Sequence, residues 1–293
     1  MTLSITLSQA KIAFVGAGSM AEAIVRGLIQ TEVANPQHIY MMNRANQDRL
    51  AFLRSEYGLH ASCDPATKEA YLREADVVVL CMKPKDVESA FAELQPMLHE
   101  KQLLISVIAG LSIEKAERLL QVGLPIVRTM PNTSSTIGLG ATGMSFSSKV
   151  NDTFKQLAIQ MFEAVGTVTI IEEDKLEVLT GVSGSGPAYV YYFMEALIKA
   201  GIEGGLTEED ARQLTLQTVL GAAHMVKITK EDPAELRRKV TSPNGATQAS
   251  IEALDRFKFT EAVAQAVFHS AARAKEMGEQ IAVSTSSPVG KSV

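Results

Sequence analysis

A glycine-rich turn near the amino terminus has the residue types and spacing that hold a phosphate anion. An apolar run over residues 12–15 leads into Gly16, and a helical pattern follows, so the segment reads G-x-G-x-x-A between a strand and a helix. In such turns the first glycine permits the tight bend, the second admits the phosphates, and the small last residue allows close packing. The helix N-terminus adds unpaired N–H groups. The segment predicts a dinucleotide pyrophosphate site, the alternative being an ordinary glycine-rich turn; its residues are Gly16, Ala17, Gly18, Ser19, Met20 and Ala21.

The end of the second predicted strand indicates which dinucleotide binds. Sites that prefer NAD usually place an acidic residue there to bind the ribose diol, but this strand, residues 38–42, is followed by Asn43 and Arg44. An arginine at this turn can pair with a 2′-phosphate. We therefore predict NADP(H), with NADPH preferred and NADH possible, Arg44 as the cationic partner and Asn43 as its neutral companion. The alternative is that Arg44 is a solvated residue preceding a helix.

Two more strand ends are candidates for the same site, because ligands of such sheets bind at the carboxyl ends of the strands. One is the segment Cys81, Met82, Lys83 and Pro84. Lys83 could meet a phosphate, a ribose or a substrate carboxylate there, or could equally be a surface lysine. The other is the segment Val107, Ile108 and Ala109, where small residues would leave room for a flat ring.

Two loops in the second half of the chain resemble anion cradles. They are the Ser/Gly segment 183–187 and the segment 241–247, and each opens a predicted helix. A glycine turn with hydroxyls at a helix start can receive a small carboxylate. The alternative for each is capping, in which the hydroxyls satisfy the helix's own N–H groups. The presence of two such loops beside a dinucleotide domain favours a substrate site.

These residues must be positioned by a sheet, since strand and helix patterns alternate through the first 170 residues. The alternation predicts an α/β fold with a doubly wound, mostly parallel sheet of Rossmann type. Strands are predicted at residues 11–15, 38–42, 76–82, 103–108, 125–130, 141–146 and 167–171, and helices at 20–30, 86–98, 112–122 and 151–164.

Near Glu172 the pattern changes to helices alone. We therefore predict a dinucleotide-binding domain over 1–170, an all-helical substrate and dimerisation domain over 171–280, and a disordered tail over 281–293. Many of these helices are apolar on more than one face, which favours burial in a homo-oligomer. A self-contained bundle is the alternative.

The composition excludes several classes of protein. The chain has 293 residues and a net charge of −5, which gives no reason to expect nucleic acid as a partner. The two cysteines and five histidines show no metal-ligand spacing. We find no secretory signal and no apolar run long enough to cross a membrane, and so expect a cytoplasmic location.

Residues 233–255, PAELRRKVTSPNGATQASIEALD, closely resemble the signature of pyrroline-5-carboxylate reductases. The resemblance extends through GAGSMA, the segment 81–84, MPNT at 130–133 and TGVSGSGPAY at 180–189. It implies reduction of the C=N bond of 1-pyrroline-5-carboxylate to L-proline by hydride from NAD(P)H, the last step of proline biosynthesis. It also implies interlocked homodimers, often assembled into larger rings such as a decamer.

The resemblance assigns roles to matching positions. Thr247 matches the threonine proposed to donate a hydrogen bond to the ring nitrogen. Since a threonine hydroxyl is a poor acid, we expect it to orient the substrate while water supplies the proton. The positions matched or inferred for substrate binding are Lys83, Glu172, Ser242, Gly245, Ala246 and Thr247.

The sequence departs from the family pattern at four places, which concern cofactor preference more than the reaction. They are Asn244, Lys239, the segment 66–69 and Ser134. A β-hydroxyacid dehydrogenase is disfavoured, because Val190 stands where its acid/base lysine would be needed. A catalytically silent NADP-sensing or scaffold protein is disfavoured by the intact loop 242–247.

Overall fold

The computed structural model describes residues 5–283, and its first part is one sheet of eight strands. The strands are β1 (Ile12–Val15), β2 (Ile39–Met42), β3 (His60–Ser62), β4 (Val77–Leu80), β5 (Leu103–Ser106), β6 (Ile126–Met130), β7 (Gly140–Phe146) and β8 (Gly166–Ile170). Their order is β3-β2-β1-β4-β5-β6-β7-β8. The winding therefore reverses between β1 and β4, which is where ligands of such sheets bind.

The sheet is parallel except at one pair of strands. β6 and β7 are antiparallel, with Thr129 opposite Met144, and β7 then pairs with β8 in parallel. The predicted doubly wound, mostly parallel sheet is confirmed. The antiparallel pair follows from the short connection between β6 and β7, because a parallel crossover needs a dozen or more residues.

Both faces of the sheet are covered, so its central strands are apolar throughout. Along β1, Ile12 and Phe14 face one core cluster and Ala13 faces the other. Helices of this part of the chain are α1 (Ser19–Gln30), α2 (Gln47–Tyr57), α3 (Pro65–Glu74), α4 (Val87–Leu94), α5 (Ile113–Leu120), α6 (Asp152–Glu163) and α7 (Leu176–Leu179).

The segment between β2 and β4 contains elements that the sequence patterns did not predict. Strand β3 has only three residues, of which Ala61 alone is buried, so it offers no alternating pattern. Helix α3 buries only Leu72. A helix was expected after Arg44, and α2 lies there. Strand β3 is at the edge of the sheet.

The residues after the sheet are helical, as predicted. They form α8 (Gly186–Glu203), α9 (Glu208–Thr229), α10 (Pro233–Lys239), α11 (Ala246–Arg256) and α12 (Phe259–Val283). By internal contacts the chain divides into two compact units, a sheet unit that includes residues 5–184 and 269–283 and a helical unit of residues 185–268. Within the helical unit α8 and α9 approach closely, since a Cβ added at Gly201 would lie 3.2 Å from that of Ala211.

The last helix extends into the segment predicted to be a disordered tail. α12 continues through Val283, and Ile281 is buried in the core of the sheet unit. Lys115 Nζ donates to the carbonyl of Gly278 at 2.6 Å, and Gly110 packs against the same backbone. The prediction of a disordered tail is therefore wrong for residues 281–283, because this packing holds the helix; residues 284–293 lie outside the described part of the chain.

Candidate functional site

A cavity of about 410 Å³ lies at the carboxyl ends of β1, β2 and β4, where the winding of the sheet reverses. Six residues predicted to bind the cofactor line it: Gly16, Asn43, Arg44, Cys81, Met82 and Lys83. The structure thus brings together strand ends that are up to 67 residues apart in sequence (Gly16 to Lys83). This volume is within the range typical of small-molecule sites.

Gly16 must be glycine for the strand ends to meet. Its φ is +112°, and a Cβ there would lie 2.6 Å from the carbonyl oxygen of Cys81. Its N–H donates to the carbonyl of Met42 at 2.9 Å. Gly16 therefore joins the ends of β1, β2 and β4 and cannot accept a side chain.

Gly18 differs from Gly16, because the protein itself does not require a glycine there. Gly18 is the N-cap of α1 with a φ of −79°, and a Cβ at this position would meet nothing within 4 Å. No side chain caps the helix, whose first bond runs from Glu22 N–H to the Gly18 carbonyl at 3.0 Å. The open space and the uncapped N-terminus at Ser19 and Met20 suit an anion. Ala17 and Ala21 are buried beneath the turn.

The turn after β2 is shaped by Asn43 and carries the charge of Arg44. Asn43 donates to the carbonyl of Asn46 and accepts from its N–H, at 2.9 and 3.0 Å. Arg44 is 71% exposed and pairs with Asp86 at 3.2 Å. Lys68 and Lys85 also line the cavity. Sequence reasoning named the segment 66–69 only as a departure from the family pattern, and it missed Lys85, which follows no motif. The cationic lining suits a ligand with phosphate groups.

Three residues of the segment after β4, Cys81, Met82 and Lys83, line the cavity, whereas the predicted site residue Pro84 is outside its lining. The Cys81 N–H donates to Val15 O at 2.9 Å, and Lys83 begins a short 3₁₀ turn over Pro84–Asp86. Burial raises the pKa of the Cys81 thiol, so this cysteine stays protonated at neutral pH. Pro84 starts the turn because its fixed φ suits a first helical position.

The segment after β5 lies outside the lining of this cavity as the described residues define it. Ile108 is 2% exposed and packs in the core, so its side chain is not available to a ligand. Val107 and Ala109 are half-buried. The backbone of Gly110, at the end of this segment, is in close contact with the backbone of Gly278 in α12. Val107 and Ala109 are therefore the predicted residues of this segment whose side chains remain partly accessible.

A buried arginine that sequence reasoning missed organises the region after β8. Arg128 is 9% exposed and bonds Glu173 and Glu177 at 3.1 and 2.8 Å. Glu173 also accepts from the N–H of Ile113 at 2.8 Å. The predicted site residue Glu172 immediately precedes this cluster in the chain, and it is exposed. No spacing motif links these residues, because the contacts span up to 60 positions.

The predicted anion loop at 183–187 is anchored by the MPNT segment. Asn132 donates to the carbonyl of Ser183 at 3.0 Å and accepts from the N–H of Ala141 at 3.2 Å. The Ser183 hydroxyl donates to Leu179 O at 3.1 Å. This bond is to a residue that precedes Ser183 in the chain, so the hydroxyl does not cap the first N–H groups of α8. A π-helical turn over Thr180–Gly184 precedes α8.

In the helical unit, the loop 241–247 leaves the start of α11 uncapped. Gly245 is the N-cap and no side chain caps the helix, so the capping alternative is not observed here. The turn is closed by Gly245 N–H donating to Ser242 O at 3.0 Å, with Asn244 in the left-handed region at a φ of 60°. Ser242, Ala246 and Thr247 are exposed. Free N–H groups beside exposed hydroxyls suit a small carboxylate.

The family model described as pyrroline-5-carboxylate reductase dimerisation matches residues 173–277, and that described as NADP oxidoreductase, coenzyme F420-dependent, matches residues 11–110. Pyrroline-5-carboxylate reductase 1 of Bacillus spizizenii is 41% identical over 93% of this chain and 91% of its own. The chain belongs to the pyrroline-5-carboxylate reductase family. Relatives of the same name from Pseudomonas aeruginosa and Arabidopsis thaliana are 37% and 35% identical, over 94% of this chain and 99% of theirs.

Solved structures of pyrroline-5-carboxylate reductases agree with this assignment. The Coxiella burnetii enzyme superposes with a TM-score of 0.85 at 40% identity, over 92% of this chain and 98% of that one. The Plasmodium falciparum pyrroline carboxylate reductase, solved with NADP bound, gives a TM-score of 0.83 at 30% identity, over 93% and 99%. The resemblance seen in the sequence is confirmed along nearly the whole chain.

Proposed function

We propose that this chain reduces the C=N bond of 1-pyrroline-5-carboxylate to L-proline with NAD(P)H, the last step of proline biosynthesis. The observation that carries the proposal is the match of 93% of the chain, at 41% identity, to a pyrroline-5-carboxylate reductase. The cavity at the reversal of the sheet supports it, because a dinucleotide reductase needs such a site. The bound nucleotide supplies the hydride, and the protein supplies placement and electrostatics.

The cofactor side of the reaction depends on the glycine turn and on the cations around the cavity. The N–H groups at the start of α1 hold the pyrophosphate, with Gly18 providing the space. Arg44 pairs with the 2′-phosphate, so NADPH is preferred and NADH is a possible second donor. Arg44 faces Asp86 at 3.2 Å, and Lys68 and Lys85 add positive charge nearby.

Replacing Arg44 tests this preference. In Arg44→Ala we expect kcat/KM to fall with NADPH and to change little with NADH, because only NADPH carries the 2′-phosphate. A loss of about 1.5–3 kcal/mol, roughly ten- to a hundredfold, is typical of one charged hydrogen bond. Steady-state kinetics with both nucleotides measure it; equal losses for the two would remove Arg44 from phosphate recognition.

The substrate side depends on the start of α11. The N–H groups near Gly245, Ala246 and Thr247 bind the carboxylate, with the Ser242 hydroxyl in the same loop. The Thr247 hydroxyl orients the ring nitrogen, and water relays the proton. Lys83 and Glu172 are assigned near the substrate by the family resemblance. Holding two reactants in register can supply about 7–11 kcal/mol of the barrier.

A direct assay separates this proposal from a silent nucleotide-binding protein. Purified protein is mixed with NADPH, and the absorbance of the reduced nicotinamide is followed before and after addition of 1-pyrroline-5-carboxylate. We expect oxidation only after the imine is added, with proline as the product. Nucleotide binding without oxidation would reject the proposed reaction.

The match to the dimerisation model supports a homodimer, and we propose assembly into a larger ring such as a decamer. Large apolar side chains of the helical unit are exposed in the single chain, including Tyr192 at 76%, Ile228 at 74% and Phe257 at 84%. Such surface is typical of an interface. Light scattering after size exclusion gives the mass, and a monomer at micromolar concentration would contradict the proposal.

We also propose a cytoplasmic location. No helix among residues 5–283 is long and apolar enough to cross a membrane. The proposal itself rests on the two free thiols, Cys63 and Cys81, since cytosolic proteins keep their cysteines reduced. Cell fractionation tests it.

A further inference from the structure

Three side chains lie behind the glycine turn and connect it to the next helix. Arg49 of α2 pairs with Glu22 of α1, and the Tyr57 hydroxyl donates to the other Glu22 oxygen at 2.8 Å. The Arg49 and Glu22 side chains are only 26% and 20% exposed. We call these three residues the α1–α2 clamp. None of them matches the glycine motif or lines the cavity described above.

One bond of the clamp reaches the turn itself. Arg49 Nε donates to the carbonyl oxygen of Ala17 at 2.9 Å. Ala17 lies outside α1, whose first bond uses the carbonyl of Gly18 instead. The backbone of the turn is therefore held by a side chain from another helix, 32 residues away in sequence.

Holding this carbonyl also sets the direction of an N–H group. The Ala17 carbonyl and the Gly18 N–H belong to one planar trans peptide, so they point to opposite sides. Fixing the oxygen on the side of Arg49 fixes the Gly18 N–H on the other side. Gly18 has no side-chain hindrance on its open side, where an added Cβ meets nothing within 4 Å. The bond from Arg49 to the Ala17 carbonyl thus fixes the direction of the Gly18 N–H, which is one of the donors that an anion could use.

The clamp also holds Arg49 in one geometry. Its guanidinium uses Nε for Ala17 and a terminal nitrogen for Glu22, and it lies 5.5 Å from the centre of the Phe52 ring. A planar fork can make these bonds together, whereas a lysine ammonium is a point charge on a flexible stem. Glu22 in turn is held by Tyr57.

We propose that Arg49 is a positioning residue for dinucleotide binding, which orients the Ala17–Gly18 peptide so that its N–H faces the pyrophosphate. This inference rests on the proposed cofactor site. Because the pyrophosphate is common to both nucleotides, Arg49 affects NADPH and NADH equally, unlike Arg44. Arg49 acts on binding, so turnover at saturating cofactor is nearly unchanged.

Arg54 provides a matched control on the same helix. Its Nη1 donates to the carbonyl of Ala61 at 3.0 Å, so it also ties α2 to backbone, but at β3 and away from the glycine turn. The experiment compares Arg49→Met, Arg49→Lys and Arg54→Met. Dissociation constants for NADPH and NADH are measured by fluorescence titration, kcat at saturating nucleotide by assay, and stability by thermal unfolding.

For Arg49→Met we expect both dissociation constants to rise about tenfold, the loss typical of one charged hydrogen bond. Their ratio and kcat should stay within twofold of wild type. Arg49→Lys should remain at least fivefold weaker than wild type for both nucleotides. Arg54→Met should bind both as wild type does, even if its unfolding temperature falls as far as that of Arg49→Met.

Two results would overturn the inference. One is equal nucleotide affinity in Arg49→Met and Arg54→Met at matched stability, which would make Arg49 a structural residue only. The other is full affinity in Arg49→Lys, which would show that charge suffices without the bond to Ala17. Failure of the wild type to bind either nucleotide would instead reject the proposed function, so the two failures are distinct.

Discussion

At the scale of single residues, the two glycines of the turn occupy their positions for different reasons. Gly16 is required by the fold, because its φ of +112° and its contact with Cys81 exclude a side chain. Gly18 is not required by the fold, since its conformation is ordinary and its surroundings are open. The difference is consistent with a ligand that occupies the space beside Gly18.

This difference predicts opposite behaviour of two alanine variants. Gly16→Ala should lower the free energy of unfolding by about 1–3 kcal/mol, because the alanine would hold a strained backbone conformation. Gly18→Ala should change stability by no more than about 1 kcal/mol while weakening NADPH binding at least tenfold. Thermal unfolding and nucleotide titration measure the two effects. Wild-type nucleotide affinity in a folded Gly18→Ala would show that the pyrophosphate lies elsewhere.

Thr247 carries the chemical prediction at this scale. Thr247→Ala should fold and bind NADPH but lose about 10²–10³-fold in kcat, the usual cost of one donor at a reacting centre. Thr247→Ser keeps the hydroxyl and should retain most of the turnover. The assay on both variants decides; wild-type kcat in Thr247→Ala would remove this residue from the mechanism.

Sequence reasoning finds the residues that sit in motifs and misses those that act through folded contacts. The glycine turn and Arg44 follow from spacing at strand ends, and the structure places Gly16 of that turn and Arg44 in the lining of one cavity. Arg49 and Arg128 were missed, because their partners lie 27 to 49 residues away and follow no spacing rule. The location of such partners depends on how the helices pack.

At the scale of elements, predictability follows the amount of buried surface. β1 and β4 are buried on both faces and were predicted from their apolar runs. β3 and α3 were missed, because each buries a single residue. The antiparallel pairing of β7 was also not predicted, since an apolar run does not specify the direction of its neighbour.

The α1–α2 clamp makes the free energy of unfolding depend on pH in the acid range. Burial alone raises the pKa of Glu22, but hydrogen bonds from Arg49 and Tyr57 and the charges of Arg49 and Arg26 lower it, and the result lies below the ordinary value of 4.5. The folded form therefore binds this proton less readily than the unfolded chain. The stabilisation is complete above the ordinary pKa and is lost as the pH falls through the folded value.

We therefore expect Glu22→Gln to flatten the acid side of the stability profile. Urea unfolding of wild type and variant through the acid range measures the free energy of unfolding at each pH. Glu69→Gln, which removes an exposed carboxylate paired with Arg73, is the control and should leave the slope nearly unchanged. If the free energy of unfolding changed with pH in the same way in wild type and in Glu22→Gln, the proposed contribution of the α1–α2 clamp to acid sensitivity would be wrong.

At the scale of the whole molecule, the two units differ in how well each covers its own apolar residues. The sheet unit has two buried clusters, whereas α8 and α9 leave side chains such as Tyr192, Leu216 and Ile228 exposed. The predicted oligomer follows from this contrast and from the dimerisation model. The sequence indicated the surplus of apolar faces but not the number of subunits.

A charge placed on this face should separate the subunits. In Ile228→Asp we expect a lower mass by light scattering, because an interface cannot bury an unpaired carboxylate without a cost of several kcal/mol. Lys227→Asp makes a larger change of charge at the neighbouring exposed position and is the control. An unchanged mass in Ile228→Asp would exclude this part of α9 from the interface.

In the proposed reaction a hydride passes from the reduced nucleotide to the imine carbon of 1-pyrroline-5-carboxylate. The most direct test uses NADPH and NADH deuterated at both C4 positions, with product analysed by mass spectrometry and NMR. We expect one deuterium per proline, on the δ-carbon that was the C=N carbon, for each nucleotide oxidised. Proline without deuterium, or oxidation of the nucleotide without formation of proline, would contradict it.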